Sequence, residues 1–405
     1  MIVTNMFKVL RRELLSWNHW RRLEFIDTRN KLIKEFARSF CNNAGEIVAT
    51  RPNSTSSWIR QFSSHPRKMM KAKKYVLVKH FENEVKPTDL QLVEEELPKL
   101  QDGEYLAEAE YLSVDPYMRP YVQRFPVGIT MIGGQVAKII ESKNPDFPVG
   151  KRVCGYLGWR THTIVKPNTP DNPIMNQPAY ILPDMGDLPP SLALGVLGMP
   201  GNTAYFGLME LCKPKSGETI VISGAAGAVG SHVGQIAKNL GLTVIGICGS
   251  DEKCKWLTEE LGFDSAINYK TAPIASKLRE TAPKGVDCYF DNVGGDISST
   301  VMYQMNLFGR VAVCGSISSY DADPSSLPKC TILQPTLVFN QLKVEGFIVT
   351  RWIDRWNEGI GYNLKLIREG KLRYRETVTK GFENMFEAFT GMLRGNNTGK
   401  AVVQV

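Results

Sequence analysis

The stretch ETIVISGAAGAVGSHVGQIAKNLG, residues 218–241, decides how the rest of the chain is read. Residues 219–222 are apolar and β-branched, as in a buried strand, and residues 231–240 have helical spacing. Between them runs a turn of small residues, 225–230. Small residues let a backbone approach a pyrophosphate, and the helix N-terminus behind them offers unpaired N–H groups and a favourable dipole. Gly227, Ala228, Val229 and Gly230 are therefore candidate phosphate-holding positions, although alanine stands where the first glycine of the usual pattern does. The competing reading is a close helix–strand packing turn with no ligand.

The next strand selects the cofactor. Residues 242–248 run into Gly249-Ser250-Asp251-Glu252-Lys253. An NAD site usually carries an acidic residue at this strand end, for the ribose hydroxyls. A hydroxyl at Ser250 and an ammonium at Lys253 suit the additional phosphate of NADP instead. Were Asp251 tilted inward and Lys253 a solvated helix charge, NAD would be served. Two further stretches, 286–295 and 310–320, each read as a strand running into a turn. Ligands of open parallel sheets sit beyond the carboxyl ends of strands. Asn292 and residues 314–320 are accordingly expected to face the cofactor, the alternatives being a turn-closing amide at Asn292 and a surface aromatic at Tyr320.

Outward from this core, short apolar strands alternate with helix-length segments from about 191 to 370, which predicts βαβ units and a parallel sheet. Before it the pattern is β-rich, with strands expected at 75–78, 105–107 and 135–140. After it, residues 374–405 read as strand, helix, strand. The expected organisation is an extension at 1–69, a β-rich domain at 70–195, a dinucleotide-binding domain at 196–369 and a closing segment at 370–405.

Composition narrows the function. The 405 residues are 43% hydrophobic and 22% charged, with a net charge of +8. All of that excess lies in residues 1–69, which hold 13 basic and 5 acidic side chains; residues 70–405 hold 36 of each. The main body thus has no overall field to recruit nucleic acid or an anionic membrane. No apolar run approaches the roughly 18 residues of a spanning helix. The eight cysteines form no Cys-x-x-Cys pair, which speaks against a cysteine-held zinc and for a reducing compartment. In the extension, Arg11-Arg12, Arg21-Arg22 and Arg60-Gln61-Phe62-Ser63-Ser64 resemble a mitochondrial targeting peptide. Its acidic residues fit that reading poorly, so a cytoplasmic location with a plain tail is the main expectation and a mitochondrial one the alternative.

Several longer stretches carry a resemblance: VDPYMR (114–119), GMPGNTAYFGL (198–208), AAGAVGS (225–231), GSDEK (249–253), VDCYFDNVGG (286–295), CGSIS (314–318), GFENM (381–385) and GNNTGK (395–400). In this combination, spread over residues 70–405, the chain resembles the prostaglandin reductases among the zinc-independent medium-chain dehydrogenase/reductases. The resemblance implies a Rossmann doubly wound α/β sheet inserted in a GroES-like β-rich catalytic domain. It implies an NADPH-dependent reductase of the carbon–carbon double bond in α,β-unsaturated ketones and aldehydes, of the oxo-prostaglandin or 2-alkenal type, working in lipid metabolism as a cytosolic homodimer. It further places Gly227 to Gly230 at the pyrophosphate and Lys253 and Tyr269 at the adenosine phosphate. Asn292, Cys314, Gly315, Ser316, Ile317, Ser318, Ser319, Tyr320, Phe347, Ile348, Val349 and Asn397 complete the cofactor cleft. Ser316 stands where alanine is usual, and one extra residue lies between Lys253 and Gly262, ahead of Tyr269.

No metal is expected. The five histidines, at 19, 65, 80, 162 and 232, are scattered, and none forms a ligand set with a cysteine. Hydrogen bonds must then stabilise an enolate oxygen, with Tyr320 the expected donor and Tyr117 and Tyr205 lesser candidates. Met199 and Thr203 are expected beside the nicotinamide. The readings left open are a quinone reductase, a lipid allylic alcohol dehydrogenase, and a non-enzymatic NADP-binding sensor.

Overall fold

The computed structural model describes residues 70–167, 177–322, 327 and 330–405. The targeting reading of residues 1–69 lies outside them. The chain opens with an antiparallel pair, β1 (Lys71–Leu77) and β2 (Leu90–Glu96). Next come β3 (Tyr105–Ser113), β4 (Gln135–Ser142), β5 (Arg152–Gly155), β6 (His162–Val165) and β7 (Tyr180–Ile181). Six strands alternating with helices follow: β8 (Thr219–Ser223), β9 (Thr243–Cys248), β10 (Ser265–Asn268), β11 (Val286–Asp291), β12 (Met305–Val313) and β13 (Lys343–Gly346). The chain closes with β14 (Glu376–Lys380), the helix Met385–Leu393 and β15 (Lys400–Gln404).

The middle six strands form one parallel sheet in the order β10-β9-β8-β11-β12-β13. Counted from β8, that is the 3-2-1-4-5-6 order of the Rossmann fold, with its switch point between β8 and β11. Every residue of β8 is buried, as expected of a central parallel strand covered on both faces. The helix Gly230–Asn239 is so closely packed that a Cβ on Gly234 would lie 1.9 Å from the ring of Phe263, in the loop before β10.

The second sheet runs β14-β15-β3-β4-β5-β7, with β6 also paired to β3. It draws strands from both sides of the parallel sheet's sequence, since β15 pairs antiparallel with β3 through Val402–Ser113. One apolar core joins the two ends of the described chain: Tyr75 and Leu77 pack with Trp159, Phe389, Met392 and Val403. The expected tail of strand, helix and strand is present, and it completes this sheet. The 314–320 segment differs in kind from its strand: β12 stops at Val313, and a 3-10 turn, Ile317–Ser319, follows.

Candidate active site

A cleft of about 540 Å³ opens over the carboxyl ends of β8, β9, β11 and β12. At its floor is the glycine turn. Gly224 takes φ +59°, and a Cβ on Gly230 would sit 2.5 Å from the Gly224 carbonyl, so both positions require glycine. Ala225 is wholly buried, and its N–H donates to Ile247 O at 3.0 Å, so alanine at this position serves as packing. The GNNTGK segment locks onto the turn through Gly399 N, which donates to Ala226 O at 2.8 Å.

Beside it, the Asp291 carboxylate, 2% exposed, organises the end of β11. Its Oδ1 accepts from Ser223 Oγ (2.9 Å), Tyr289 OH (2.8 Å), Val293 N (3.0 Å) and Gly294 N (2.9 Å). Asn292 both closes this turn and lines the cleft: its Nδ2 donates to Ser223 O at 2.7 Å.

At the far end stands Lys253. Ser250 Oγ caps its helix by accepting from Lys253 N, and Lys253 Nζ donates to Gly395 O at 2.7 Å. Burial draws the ammonium below its ordinary pKa. No carboxylate lies within ion-pair distance of it among the described residues. Asp251 is turned away, accepting from Asn268 Nδ2 at 2.8 Å, and it does not line the cleft. A half-buried cation without a carboxylate suits a phosphate, and the open alternative of an inward Asp251 is not what the side chain does. Tyr269 lies against Gly249, with ring atoms 3.1 Å from where a Cβ would be, so the extra residue before it leaves it in the wall.

At the other end, Tyr320 folds back over Gly315, and its hydroxyl accepts from Ser316 N at 3.2 Å. Its own proton remains available to a ligand. Burial raises its pKa, which keeps the phenol protonated past neutrality. Cys314, Gly315, Ile317, Ser318, Phe347, Ile348, Val349 and Asn397 line the same cleft, as do Gly227 to Gly230, Met199 and Thr203. Ser316 and Ser319 do not: their hydroxyls meet each other at 2.9 Å and hold the turn. Tyr205 is also elsewhere, its hydroxyl donating to Glu358 at 2.9 Å. Tyr117 lines the cleft, and its buried hydroxyl has no hydrogen-bond partner among the described residues.

Sequence reasoning missed a buried ion pair in this wall. Lys400 Nζ reaches Asp115 Oδ1 at 2.9 Å and Val114 O at 2.6 Å, with both side chains under 10% exposed. Ser113 Oγ donates to the other Asp115 oxygen. The available signal was a lysine heading the apolar run of β15. His232, by contrast, is buried on the Gly230–Asn239 helix and has its pKa lowered to about 4 by that burial. Among the described residues, no three His, Cys, Asp or Glu side chains gather as a metal-ligand group.

A dinucleotide fits this cleft on three observations among the described residues: the glycine turn under a helix N-terminus, the Lys253 ammonium without a carboxylate, and the unpartnered Tyr117 hydroxyl. Residues 73–171 match the family described as the N-terminal domain of oxidoreductase, and residues 228–362 that described as zinc-binding dehydrogenase. Prostaglandin reductase 1 of Rattus norvegicus is 48% identical over 342 residues, covering 83% of this chain and 100% of that protein. The NADP(+)-dependent 2-alkenal reductase of Nicotiana tabacum is 40% identical over 304 residues, 73% of this chain and 85% of that protein. The crystal structure of CurA from Vibrio vulnificus in complex with NADPH superposes with a TM-score of 0.75 at 38% identity, covering 82% of this chain and 99% of that one. The chain belongs to the prostaglandin reductase family of zinc-independent medium-chain dehydrogenase/reductases.

Proposed function

We propose that this protein reduces the carbon–carbon double bond of α,β-unsaturated ketones and aldehydes with NADPH. The observation that carries the reading is the cleft itself, with Lys253 at one end and Tyr320 at the other. When bound, NADPH supplies the hydride. Lys253 holds the adenosine phosphate, and Gly227 to Gly230 with the helix behind them hold the pyrophosphate. Tyr320, fixed by the Ser316 N–H, donates its proton as a hydrogen bond to the substrate oxygen, where negative charge develops as the enolate forms. The Tyr117 hydroxyl, buried in the cleft wall without a partner among the described residues, is a second candidate donor. Tyr121, Met199 and Phe347 give the cleft an apolar wall that excludes water and suits a lipid-derived carbon chain.

The test is NADPH consumption with a panel of oxo-prostaglandins, alkenals and quinones, with product identification. The saturated ketone or aldehyde is the expected product. Turnover confined to quinones, or cofactor binding without turnover, would replace this reading by one of the alternatives.

The protein works as a homodimer in this reading. The support is β13, an edge strand of the parallel sheet, with Val344 exposed and Val338 and Phe339 (70% and 78% exposed) close by in sequence. An uncovered sheet edge with exposed apolar side chains beside it invites pairing with a second copy. Sedimentation should give a dimer, and Phe339→Asp with Val344→Glu should give a monomer.

A further inference from the structure

Two thiols meet at the Lys253 end of the cleft. Cys248 ends β9 and Cys254 lies on the helix Asp251–Lys255, with their Sγ atoms 3.3 Å apart. The turn between them is tight, because Cys254 N donates to Ser250 O at 3.0 Å. Cys248 is 4% exposed yet lines the cleft, and Cys254 is partly exposed to solvent. Cys212 and Cys288 also interact, but both are completely buried. Only the first pair thus combines contact between sulfurs with a route for a reagent, among the described residues.

We propose that Cys248 and Cys254 form a dithiol modification site for hydroperoxides, whose disulfide hinders cofactor binding. The Cys254 thiolate attacks one peroxide oxygen, the O–O bond breaks and an alcohol, or water from hydrogen peroxide, leaves. Cys254 is then a sulfenic acid. The Cys248 sulfur attacks the Cys254 sulfur, the S–S bond forms, and the S–OH oxygen departs as water with the released proton. Two thiols are oxidised by two electrons, and one peroxide is reduced. Burial raises both thiols, Cys248 to about 12, so the reaction is slow at neutral pH compared with that of a catalytic thiol.

The consequence follows from where the pair sits. Closing a 3.3 Å contact to a bond of about 2 Å draws the helix toward the end of β9. Lys253 is the residue before Cys254, and its ammonium spans to Gly395 O. A shift of this helix moves the group that holds the adenosine phosphate. That effect on affinity rests on the NADPH reading; formation of the disulfide does not. By the same linkage, bound cofactor opposes closure of the disulfide, because it holds the Lys253 helix in place.

The full-length protein, reduced and then treated with hydrogen peroxide with or without NADP⁺, provides the test. Peptide mapping should find a 248–254 link, formed more slowly with NADP⁺ present. The NADPH Kd, read by fluorescence, should rise at least tenfold and return on adding dithiothreitol. Cys254→Ser should bind NADPH like the parent and keep that Kd after peroxide. Oxidation mapped to Cys314 or Cys330, with 248 and 254 still thiols, would overturn the site. A complete disulfide with Kd unchanged would overturn its effect on the cofactor. If the reduced protein bound no NADPH, the cofactor reading would fall, while mapping would still decide the pair.

Discussion

Arg119 Nε donates to Asp321 Oδ1 at 3.0 Å, tying the VDPYMR segment to the residue that follows Tyr320 across 202 positions of sequence. Arg119 is 4% exposed; its Nη2 donates to Asn83 O at 2.7 Å, and its guanidinium lies 5.3 Å from the Phe81 ring centroid. The cation is therefore fixed by its surroundings, and the half-exposed carboxylate is the mobile partner. The proposed mechanism gives the donor role to the Tyr320 hydroxyl, and Asp321, next in the chain, would act as a positioning residue by holding the turn that aims it. Asp321→Ala should lower kcat about three- to tenfold, with KM for NADPH and Tm nearly unchanged, because an ion pair this exposed adds little stability. Steady-state kinetics with a melting curve check it. A fall in Tm matching the fall in kcat would make the contact structural only.

Tyr320→Phe separates the donor from its ring. Packing over Gly315 is retained, so NADPH affinity should hold, while kcat should fall roughly ten- to a thousandfold as for a lost oxyanion donor. Burial raises this phenol above its ordinary pKa of 10.0, so the donor form persists through alkaline pH. The parent kcat should accordingly show no alkaline decline attributable to Tyr320 below about pH 10. An unchanged kcat in the variant would reduce Tyr320 to a wall of the cleft.

The parallel sheet was legible because its signals are local. Each βα unit carries its own apolar run, turn residues and helical spacing, as residues 218–241 do. The cleft followed, since strand ends place Asn292, Cys314 and Lys253 on one side of the sheet. Contacts with no local period were not legible. Lys400 meets Asp115 across 285 residues and Arg119 meets Asp321 across 202, and nothing in either local sequence names the other partner. Ser316 and Ser319 fell inside a motif that reads as uniformly ligand-facing. The 3-10 turn points successive residues in different directions, so these two hydroxyls bond each other.

His232 gives the fold an acid-sensitive point. Its ring is 3% exposed, and burial lowers its pKa from 6.5 to about 4. Between those values the unfolded chain binds a proton that the folded chain does not, so stability rises with pH across that window and is lost as pH falls through it. The full difference amounts to about 3 kcal/mol. Denaturant titrations at pH 7 and pH 4 should show the loss in the parent. His232→Leu should remove that share of the pH dependence, whatever its own stability at pH 7. An equal pH slope in both proteins would assign the acid sensitivity elsewhere.

The proposed function makes Lys253 the residue that selects between the two nicotinamide cofactors. Among the described residues its ammonium has no carboxylate partner, while Asp251, the acidic group that could serve a ribose, is engaged by Asn268. Lys253→Ala should weaken NADPH binding by about 1–3 kcal/mol, the range for losing one charge-assisted hydrogen bond in a partly wet site. NADH lacks the phosphate, so its affinity should hardly change. The variant also loses the Nζ contact to Gly395 O, which would loosen that loop for both cofactors alike. The ratio of the two Kd values, rather than either alone, therefore carries the test. A Lys253→Arg variant should recover most of the preference through a retained cation. If Lys253→Ala weakened NADH and NADPH equally, the lysine would be a tether for the Gly395 loop, and the phosphate would have to be held by another cation of the cleft, Lys270 or Arg394.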